Sequence, residues 1–315
     1  MTHADRNTGT TTFYGGGIEF PHEFDEEPFL SDALDQAQVV EIIPEGFFHG
    51  KRAPLLKELA RRAIPVVVHS VELSLGSDEP MRYGYIDQIL EIASKINCIA
   101  LSDHVCMTRS GGIDIGQLTT IAYTEESLGL VCRKIDALDR YTRKRLGPMP
   151  LVFENITHRF QVPHSSMTEP EFLTKMHQKT GAEVLLDATN LYINSVNFGF
   201  DPYGYLDQLI QWDPHLNFIR GIHLAGGEWE EHKLYDTHSR HTHPEVWDIF
   251  RTVISKATPS FIIVEWDQNP PSVGALYGEV HKALSIWNEV RGGEFLPRGP
   301  RHTRSLPSYQ KVSAP

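Results

Sequence analysis

Short runs of apolar, largely β-branched residues recur eight times along the chain, and longer stretches with helical periodicity lie between them. Most runs are continuously apolar rather than alternating, which is typical of strands buried on both faces of a parallel sheet. The predicted strands are Phe13–Phe20, Val39–Pro44, Pro65–Val71, Cys98–His104, Leu151–Asn155, Glu183–Ala188, Ile219–Ala225 and Ser260–Asp267. The clearest helical stretches are Pro54–Ala63, Arg82–Ile96, Thr124–Arg145, Glu169–Thr180 and Pro244–Lys256. Eightfold strand–helix alternation predicts an α/β fold, the (β/α)8 or TIM barrel.

The same pattern indicates a single catalytic domain over residues 13–291. Residues 1–12 are polar and predict a flexible N-terminus, whereas residues 292–315 are rich in Pro, Arg and Ser and predict a mobile tail. A doubly wound open sheet is the alternative architecture. It is disfavoured because the lone cluster Gly15-Gly16-Gly17 does not match the G-x-G-x-x-G pattern of dinucleotide-binding folds.

Charge and cysteine content narrow the class of protein. The net charge is -12 and no long basic run occurs, so a nucleic-acid-binding surface is not expected. No apolar run approaches the roughly 20 residues of a membrane span, and the polar N-terminus does not resemble a secretory signal. The three cysteines, Cys98, Cys106 and Cys132, show no CxxC spacing and predict neither disulfides nor a zinc ribbon. We therefore expect a cytoplasmic protein.

Residues of metal-ligand type stand at the ends of six consecutive predicted strands. Active sites of (β/α)8 barrels lie at the carboxyl ends of the strands, so these side chains are expected to converge. They are His69, His104, Glu154, Asp187 with Asn190, His223 and Glu265, and the loop after the seventh strand adds Asp236 and His238. So many carboxylates at one rim would repel each other, and several cations would relieve that repulsion. Nitrogen and oxygen ligands without thiolate suit iron, manganese or zinc, and the number of ligands predicts two or three metal ions.

Each of these residues also has an ordinary explanation when it is taken alone. His69 could be a hydrogen-bonded core histidine, Asp187 could cap a helix, and Asp236 could lie in a solvated loop. The convergence of all of them on one rim favours the metal site. The remaining loop histidines are not included in it: they are His158, His164, His215, His232, His241 and His243.

At these residues the sequence resembles the multinuclear non-heme iron-dependent oxidative enzymes, a family formerly called domain of unknown function 692. The matching segments are His69–Ser77, Ser102–His104, Glu154-Asn155, Leu186–Asn197, Gly199–Pro202, His223–Gly226, Asp236–His238, Val246-Trp247 and Glu265–Asp267, within a resemblance that covers about residues 13–290. Departures occur at supporting positions, where Ser70, Glu72 and Thr189 replace residues that are common in the family. The family's fold is similar to that of xylose-isomerase-like barrels.

The resemblance implies a function for each of the matching positions. The family's iron ligands correspond to His69, His104, Glu154, Asp187, Asn190, His223, Asp236, His238 and Glu265, with Glu154 as the bridging carboxylate. The implied cofactor is a set of two or three iron ions in mixed Fe(II)/Fe(III) valence, and O2 is the co-substrate. The residues expected to take part in catalysis are His69, His104, Glu154, Asp187, His223 and Glu265. His22 and Asn194 are expected to face the substrate.

Family members modify ribosomally made precursor peptides, and several oxidise cysteine. The implied reaction begins when an iron(III)–superoxo species abstracts hydrogen from the cysteine β-carbon, and carbon excision or rearrangement follows in some members. A separate leader-binding protein is the expected partner. The tail residues Arg298, Arg301, Arg304 and Lys311 could contact an acidic partner, but a disordered, solvated end is the favoured explanation for them. Two alternatives stay open: a divalent-metal (zinc) hydrolase or sugar isomerase on the same barrel, and a non-catalytic scaffold.

Overall fold

The computed structural model describes residues 12–292. Its strands are β1 (Gly15–Glu19), β2 (Val39–Ile42), β3 (Pro65–His69), β4 (Asn97–His104), β5 (Met107–Ser110), β6 (Ile113–Thr119), β7 (Leu151–Glu154), β8 (Glu183–Asp187), β9 (Ile219–Leu224), β10 (Glu228–Glu230), β11 (Lys233–Tyr235) and β12 (Phe261–Val264). Its helices are α1 (Phe29–Gln36), α2 (Ala53–Arg62), α3 (Tyr83–Ser94), α4 (Glu125–Leu146), α5 (Glu169–Thr180), α6 (Ala188–Phe198), α7 (Pro202–Trp212), α8 (Pro244–Ile254) and α9 (Val273–Arg291). The predicted flexible N-terminus and mobile tail lie outside the described residues, apart from Thr12 and Gly292.

Eight of the strands close into a parallel barrel in the order β1-β12-β9-β8-β7-β4-β3-β2. Each apolar run predicted from the sequence contains one of these strands, so the predicted (β/α)8 barrel is confirmed. The open-sheet alternative is wrong because the sheet closes on itself. The other four strands form two antiparallel hairpins, β5–β6 after β4 and β10–β11 after β9. Both hairpins therefore stand at the carboxyl mouth of the barrel, and the apolar pattern did not predict them.

The five helices singled out by their periodicity agree with the observed helices to within two residues at each end. Helix α5 illustrates the local causes. The side chain of Thr168 accepts a hydrogen bond from the Glu171 amide, which caps the first turn. At the other end, Gly181 adopts a φ of 73°, a left-handed conformation that glycine adopts at little cost.

Two layers of side chains fill the interior of the barrel. The lower layer is an apolar cluster of Val39, Val67, Ile99, Ala100, Val152, Leu185, Phe261 and Ile263. Residues two positions apart on a strand face the same side, so the next inward residue on each strand lies in an upper layer. That layer is polar, because Val67 is followed by His69 and Val152 by Glu154. The pleat of the strands thus gathers the predicted ligands at the carboxyl mouth.

Glycine allows β1 to approach β2 closely. A Cβ atom at Gly17 would lie 1.9 Å from the carbonyl oxygen of Val39, its partner in the sheet. The cluster Gly15-Gly16-Gly17 therefore serves strand packing, which explains a glycine run that no phosphate-binding motif accounts for.

Candidate metal centre

Glu154, the last residue of β7, lies at the centre of the polar layer. Its Oε2 atom is 3.5 Å from a ring nitrogen of each of three histidines, His69, His104 and His223. Burial raises the pKa of Glu154, but the three histidines outweigh burial and hold the pKa well below its usual range. Glu154 is therefore held as a carboxylate, with one oxygen shared among three possible metal ligands.

Two groups of side chains bring ligand atoms close enough together to hold a metal ion. The first is His69, His104 and Glu154, and the second is Glu154, Asp187, His223 and Glu265. Within each group the ligand atoms lie within 4.8 Å of one another, and every member is buried. Because Glu154 belongs to both groups, the geometry suits a carboxylate that bridges two ions.

Hydrogen bonds at the ends of β3 and β4 orient the two histidines of the first group. The Nδ1 atom of His69 lies 2.9 Å from the Ser102 hydroxyl, which leaves Nε2 to face Glu154. Asp103 accepts hydrogen bonds from the Ser70 hydroxyl and from the main-chain amides around it, and this buried carboxylate lies beside His104. Such outer contacts fix ring orientation in metal sites.

Asp187 connects the second group to helix α6. Its Oδ1 atom accepts hydrogen bonds from the amides of Thr189 and Asn190, at 2.6 and 2.8 Å, so the residue is the N-cap of the helix. Its other oxygen, Oδ2, has no hydrogen-bond donor among the described residues. Burial raises the pKa of Asp187, and the carboxylates of Glu154 and Glu265 raise it further. The helix-cap explanation and the ligand explanation therefore both apply to this residue.

His223 contacts a carboxylate that the sequence analysis did not identify. Its Nε2 atom lies 3.1 Å from Oε2 of Glu41 on β2, and its Nδ1 atom lies 3.0 Å from Glu265. Burial raises the pKa of Glu41 to about 7, against the opposing effect of His223. The available signal was a single charged residue inside the apolar run Val39–Ile42, two positions after Val39. A fully buried carboxylate needs a partner, and here the partner is a candidate metal ligand.

Glu19 is a second carboxylate that the strand-end search missed, at the end of β1. Burial raises its pKa, and the neighbouring carboxylates of Asp267 and Glu265 raise it further. Glu19 stands two positions after Gly17, so the same pleat places it in the polar layer.

The other three predicted ligands lie beside the two groups rather than within them. His238 Nε2 is 2.8 Å from Asp236 and 3.9 Å from Glu265. His238 has a φ of 45°, a conformation that costs free energy outside glycine and is common at functional sites. Asn190 donates to the carbonyl of Asn155 at 3.0 Å, and its own Oδ1 atom is buried without a donor in residues 12–292.

The structure exposes one of the two predicted substrate-facing residues and buries the other. His22 lies in the short 3₁₀ helix after β1, with 70% of its side chain exposed near the barrel mouth. Asn194 is buried, and its amide bonds the main chain at His158 and Ile156, at 2.7 and 2.9 Å. Asn194 thus holds the loop that follows β7, and a substrate contact for either residue stays a prediction.

Buried polar atoms without hydrogen-bond partners indicate whether a metal ion fits this site. Buried acceptors without a donor are rare in folded proteins, yet six side-chain oxygens of this kind occur together at the carboxyl mouth within the described chain. Five belong to candidate ligands and one to Glu41: they are Glu154 Oε2, Asp187 Oδ2, Asn190 Oδ1, Asp236 Oδ1, Glu265 Oε2 and Glu41 Oε1. Bound cations would satisfy those of the ligands. The three cysteines are buried and none belongs to either group, so the ligand set is nitrogen and oxygen alone. This set fits a divalent metal such as iron, manganese or zinc.

Comparison with known proteins identifies the family. The sequence profile described as "RiPP precursor modification enzyme MbnB/TglH/ChrH" matches residues 15–288, where RiPP denotes a ribosomally made, modified peptide. The chain belongs to this family. Similar proteins include a UPF0276 protein of Caulobacter vibrioides, 30% identical over 285 residues, which are 89% of this chain and 96% of the relative. Another, from Acaryochloris marina, is 33% identical over 226 residues, 72% of this chain and 78% of the relative.

Solved structures support the fold of this MbnB/TglH/ChrH family member. D-psicose 3-epimerase aligns with a TM-score of 0.54 at 14% identity, over 89% of this chain and all (100%) of that one. Endonuclease IV from Thermus thermophilus aligns with a TM-score of 0.54 at 15% identity, over 86% and 99% of the two chains. The predicted xylose-isomerase-like barrel is confirmed, and the family indicates an enzyme. Among residues 12–292, no helix combines the length and apolarity needed to cross a membrane.

Proposed function

We propose that the protein is an iron- and O2-dependent enzyme that oxidatively modifies a ribosomally made precursor peptide, with cysteine as the expected target. The single observation that carries the proposal is the sharing of Glu154 between two buried ligand groups. One carboxylate that serves two ions suits a multinuclear centre better than a single Lewis acid. The family's described activity on peptide precursors supports the class of substrate.

The residues of the barrel mouth would hold the metal ions. His69, His104 and Glu154 would bind one ion, and Glu154, Asp187, His223 and Glu265 a second. Asn190, Asp236 and His238 lie beside the second group and would complete it or bind a third ion. Bound iron would supply one-electron chemistry and reaction with O2, which amino-acid side chains lack.

The protein itself contributes orientation and a dry environment. Ser102 and Glu41 fix the rings of His69 and His223, so that the opposite nitrogen of each ring faces Glu154. The residues of the two ligand groups are buried, and the apolar layer beneath them closes the barrel from below. Because water is excluded from the buried mouth, charge interactions there are stronger, and less water competes with a peptide side chain. A separate leader-binding protein would bring the precursor to this mouth.

Metal analysis under anaerobic conditions tests the proposal. We expect two or more iron ions per chain after purification under argon, a coupled mixed-valent signal in the Mössbauer spectrum, and O2 uptake when a cysteine-containing precursor is added. Stoichiometric zinc that iron cannot replace, with no O2 uptake, would overturn the proposal. That result would favour the divalent-metal hydrolase or isomerase.

A further inference from the structure

A cleft of about 260 Å³ opens beside the candidate metal centre. One wall is the loop after β7, with His158 and Arg159, and the other is strand β11, beginning with Lys233. Ile193 of helix α6 contributes an apolar surface, and Asp236, a candidate ligand, lines the cleft as well. The cleft therefore reaches Asp236, at the edge of the candidate metal centre.

Helix α6 holds both walls of the cleft in position through three asparagines on one of its faces. Asn190 lies at the metal centre, Asn194 bonds the main chain of the β7 loop, and Asn197 bonds β11. Asn197 pairs with both main-chain groups of Leu234, at 2.8 and 3.0 Å, as a neighbouring strand would. The spacing of four and three residues places all three amides on one side of the helix. The cleft is thus a built feature rather than a gap between mobile loops.

The walls also carry cations without partners. Arg159 on one wall and Lys233 on the other are exposed, and neither side chain forms an ion pair or a hydrogen bond within residues 12–292. By contrast, His158 is anchored between Tyr123 and Glu169, at 3.2 and 3.4 Å. Two cationic side chains without partners line this one cleft, in a chain of net charge -12. Their natural ligand is a carboxylate.

We propose that this cleft binds a carboxylate of the precursor peptide, at a fixed distance from the residue that is modified. From Asn190 to Asn197, helix α6 rises about 10 Å. An extended peptide covers that length in about three residues. The recognised carboxylate is therefore about three residues from the modified one, either in an Asp or Glu side chain or at the peptide's carboxyl terminus. This inference rests on the proposed function for the peptide as substrate.

Binding of three short peptides to the metal-loaded protein under argon tests this inference without turnover. All three carry a rhodamine label and one cysteine. The first has aspartate three residues after the cysteine and an amidated terminus, the second has asparagine instead, and the third ends in a free carboxylate at that position. Fluorescence anisotropy gives each dissociation constant for the wild type, Arg159→Gln, Lys233→Gln and the double variant. Lys57→Gln, an exposed lysine on α2 far from the cleft, is the matched charge control.

We expect at least one carboxylate peptide to bind about tenfold more tightly than the asparagine peptide. Each single variant weakens that peptide's binding about threefold, a typical value for an exposed ion pair, and the double variant abolishes the preference. Lys57→Gln leaves the preference unchanged. The aspartate and free-terminus peptides identify the source of the carboxylate. A wild type that does not distinguish the peptides, or a preference that survives in the double variant, would overturn the inference.

Iron content and O2 uptake, measured on the same preparations, separate the two proposals. Bound iron and O2 uptake, with no preference among the peptides, would refute the carboxylate site and support the proposed function. A preference for a carboxylate peptide in a protein that binds only zinc would support the carboxylate site and refute the proposed function.

Discussion

The two mouths of the barrel differ: one holds the larger cavity, and the other holds the candidate metal ligands. The larger cavity, about 580 Å³, lies at the amino mouth, where β7, β8 and β9 begin. Its arginines lie in ion pairs, Arg143 with Asp139 at 2.8 Å and Arg220 with Glu183 at 3.6 Å, and it has no buried acceptor without a donor among the described residues. The carboxyl mouth offers less room but holds six such acceptors.

The comparison indicates that unmet hydrogen-bonding capacity, not volume, locates the candidate active site. A buried acceptor without a donor costs free energy, and a fold retains several together only where something else satisfies them. The carboxyl mouth is also where (β/α)8 barrels place their active sites. Variants that alter one mouth at a time test whether metal binding depends on the carboxyl mouth alone.

The largest effect is expected from Glu154→Gln, which removes the shared carboxylate from both ligand groups. We expect metal affinity to fall by about 100-fold or more, since even outer contacts of metal ligands are worth about 10–100-fold. Metal per chain after gel filtration measures this. Asp139→Asn at the amino mouth is the control and should keep its metal. Full metal retention in Glu154→Gln would contradict the assignment.

Metal removal should reduce stability next most strongly. An ion present at about 100 times its dissociation constant stabilises the folded state by about 2.7 kcal/mol. For a chain of 315 residues, each kcal/mol corresponds to roughly 1.5 °C, so chelation should lower Tm by about 4 °C for each ion that is removed. Differential scanning calorimetry with and without chelator provides the measurement. Arg220→Gln should show the same drop, and equal Tm values for the two forms would count against a bound metal.

Glu41→Gln should weaken metal binding without removing a ligand. The variant keeps the size of the side chain but takes away the charge that lies 3.1 Å from His223. We expect the metal affinity to fall about 10–100-fold, as for other outer partners of ligating histidines. Competition with a chelator of known affinity measures the change. Glu58→Gln, on the outer helix α2, is the matched control, and an unchanged affinity in Glu41→Gln would refute the contact's importance.

The smallest effect is expected at the amino mouth. Arg143→Gln removes an exposed ion pair on helix α4, and such pairs contribute about 1 kcal/mol or less. Urea unfolding should show a loss of that size, with metal content unchanged. A loss of metal in this variant would show that the two mouths are coupled and would contradict the assignment of metal binding to the carboxyl mouth alone.

Much of the barrel could be predicted because its signals are local. Most strands are continuous apolar runs, and because parallel barrel strands all end at one mouth, six strand ends predicted one shared site. The distances around Glu154 could not be predicted. They depend on barrel closure, which brings His69 near His223 although more than 150 residues separate them in the chain.

Glu41 and the two hairpins show where local signals fail. Glu41 lies inside a strand rather than after one, so a search of strand ends passed over it. The pleat gives the signal that would have found it, since it stands two residues after an inward-facing valine. Strands β5, β10 and β11 have only three or four residues, and the longer β6 is largely exposed, so the hairpins lack the apolar pattern on which the prediction relied.

Asp187 carries a consequence for how this barrel can diverge over evolution. Serine, threonine and asparagine cap helices as well as aspartate does but bring no charge, while glutamate brings the charge and is a poor cap. If Asp187 binds a metal ion as proposed, only aspartate meets both demands, and two selective pressures act on one codon. If a lineage abandoned the metal, the pressure to start helix α6 would remain. A relative with asparagine or serine at this position would therefore mark a barrel that kept its architecture after losing its chemistry.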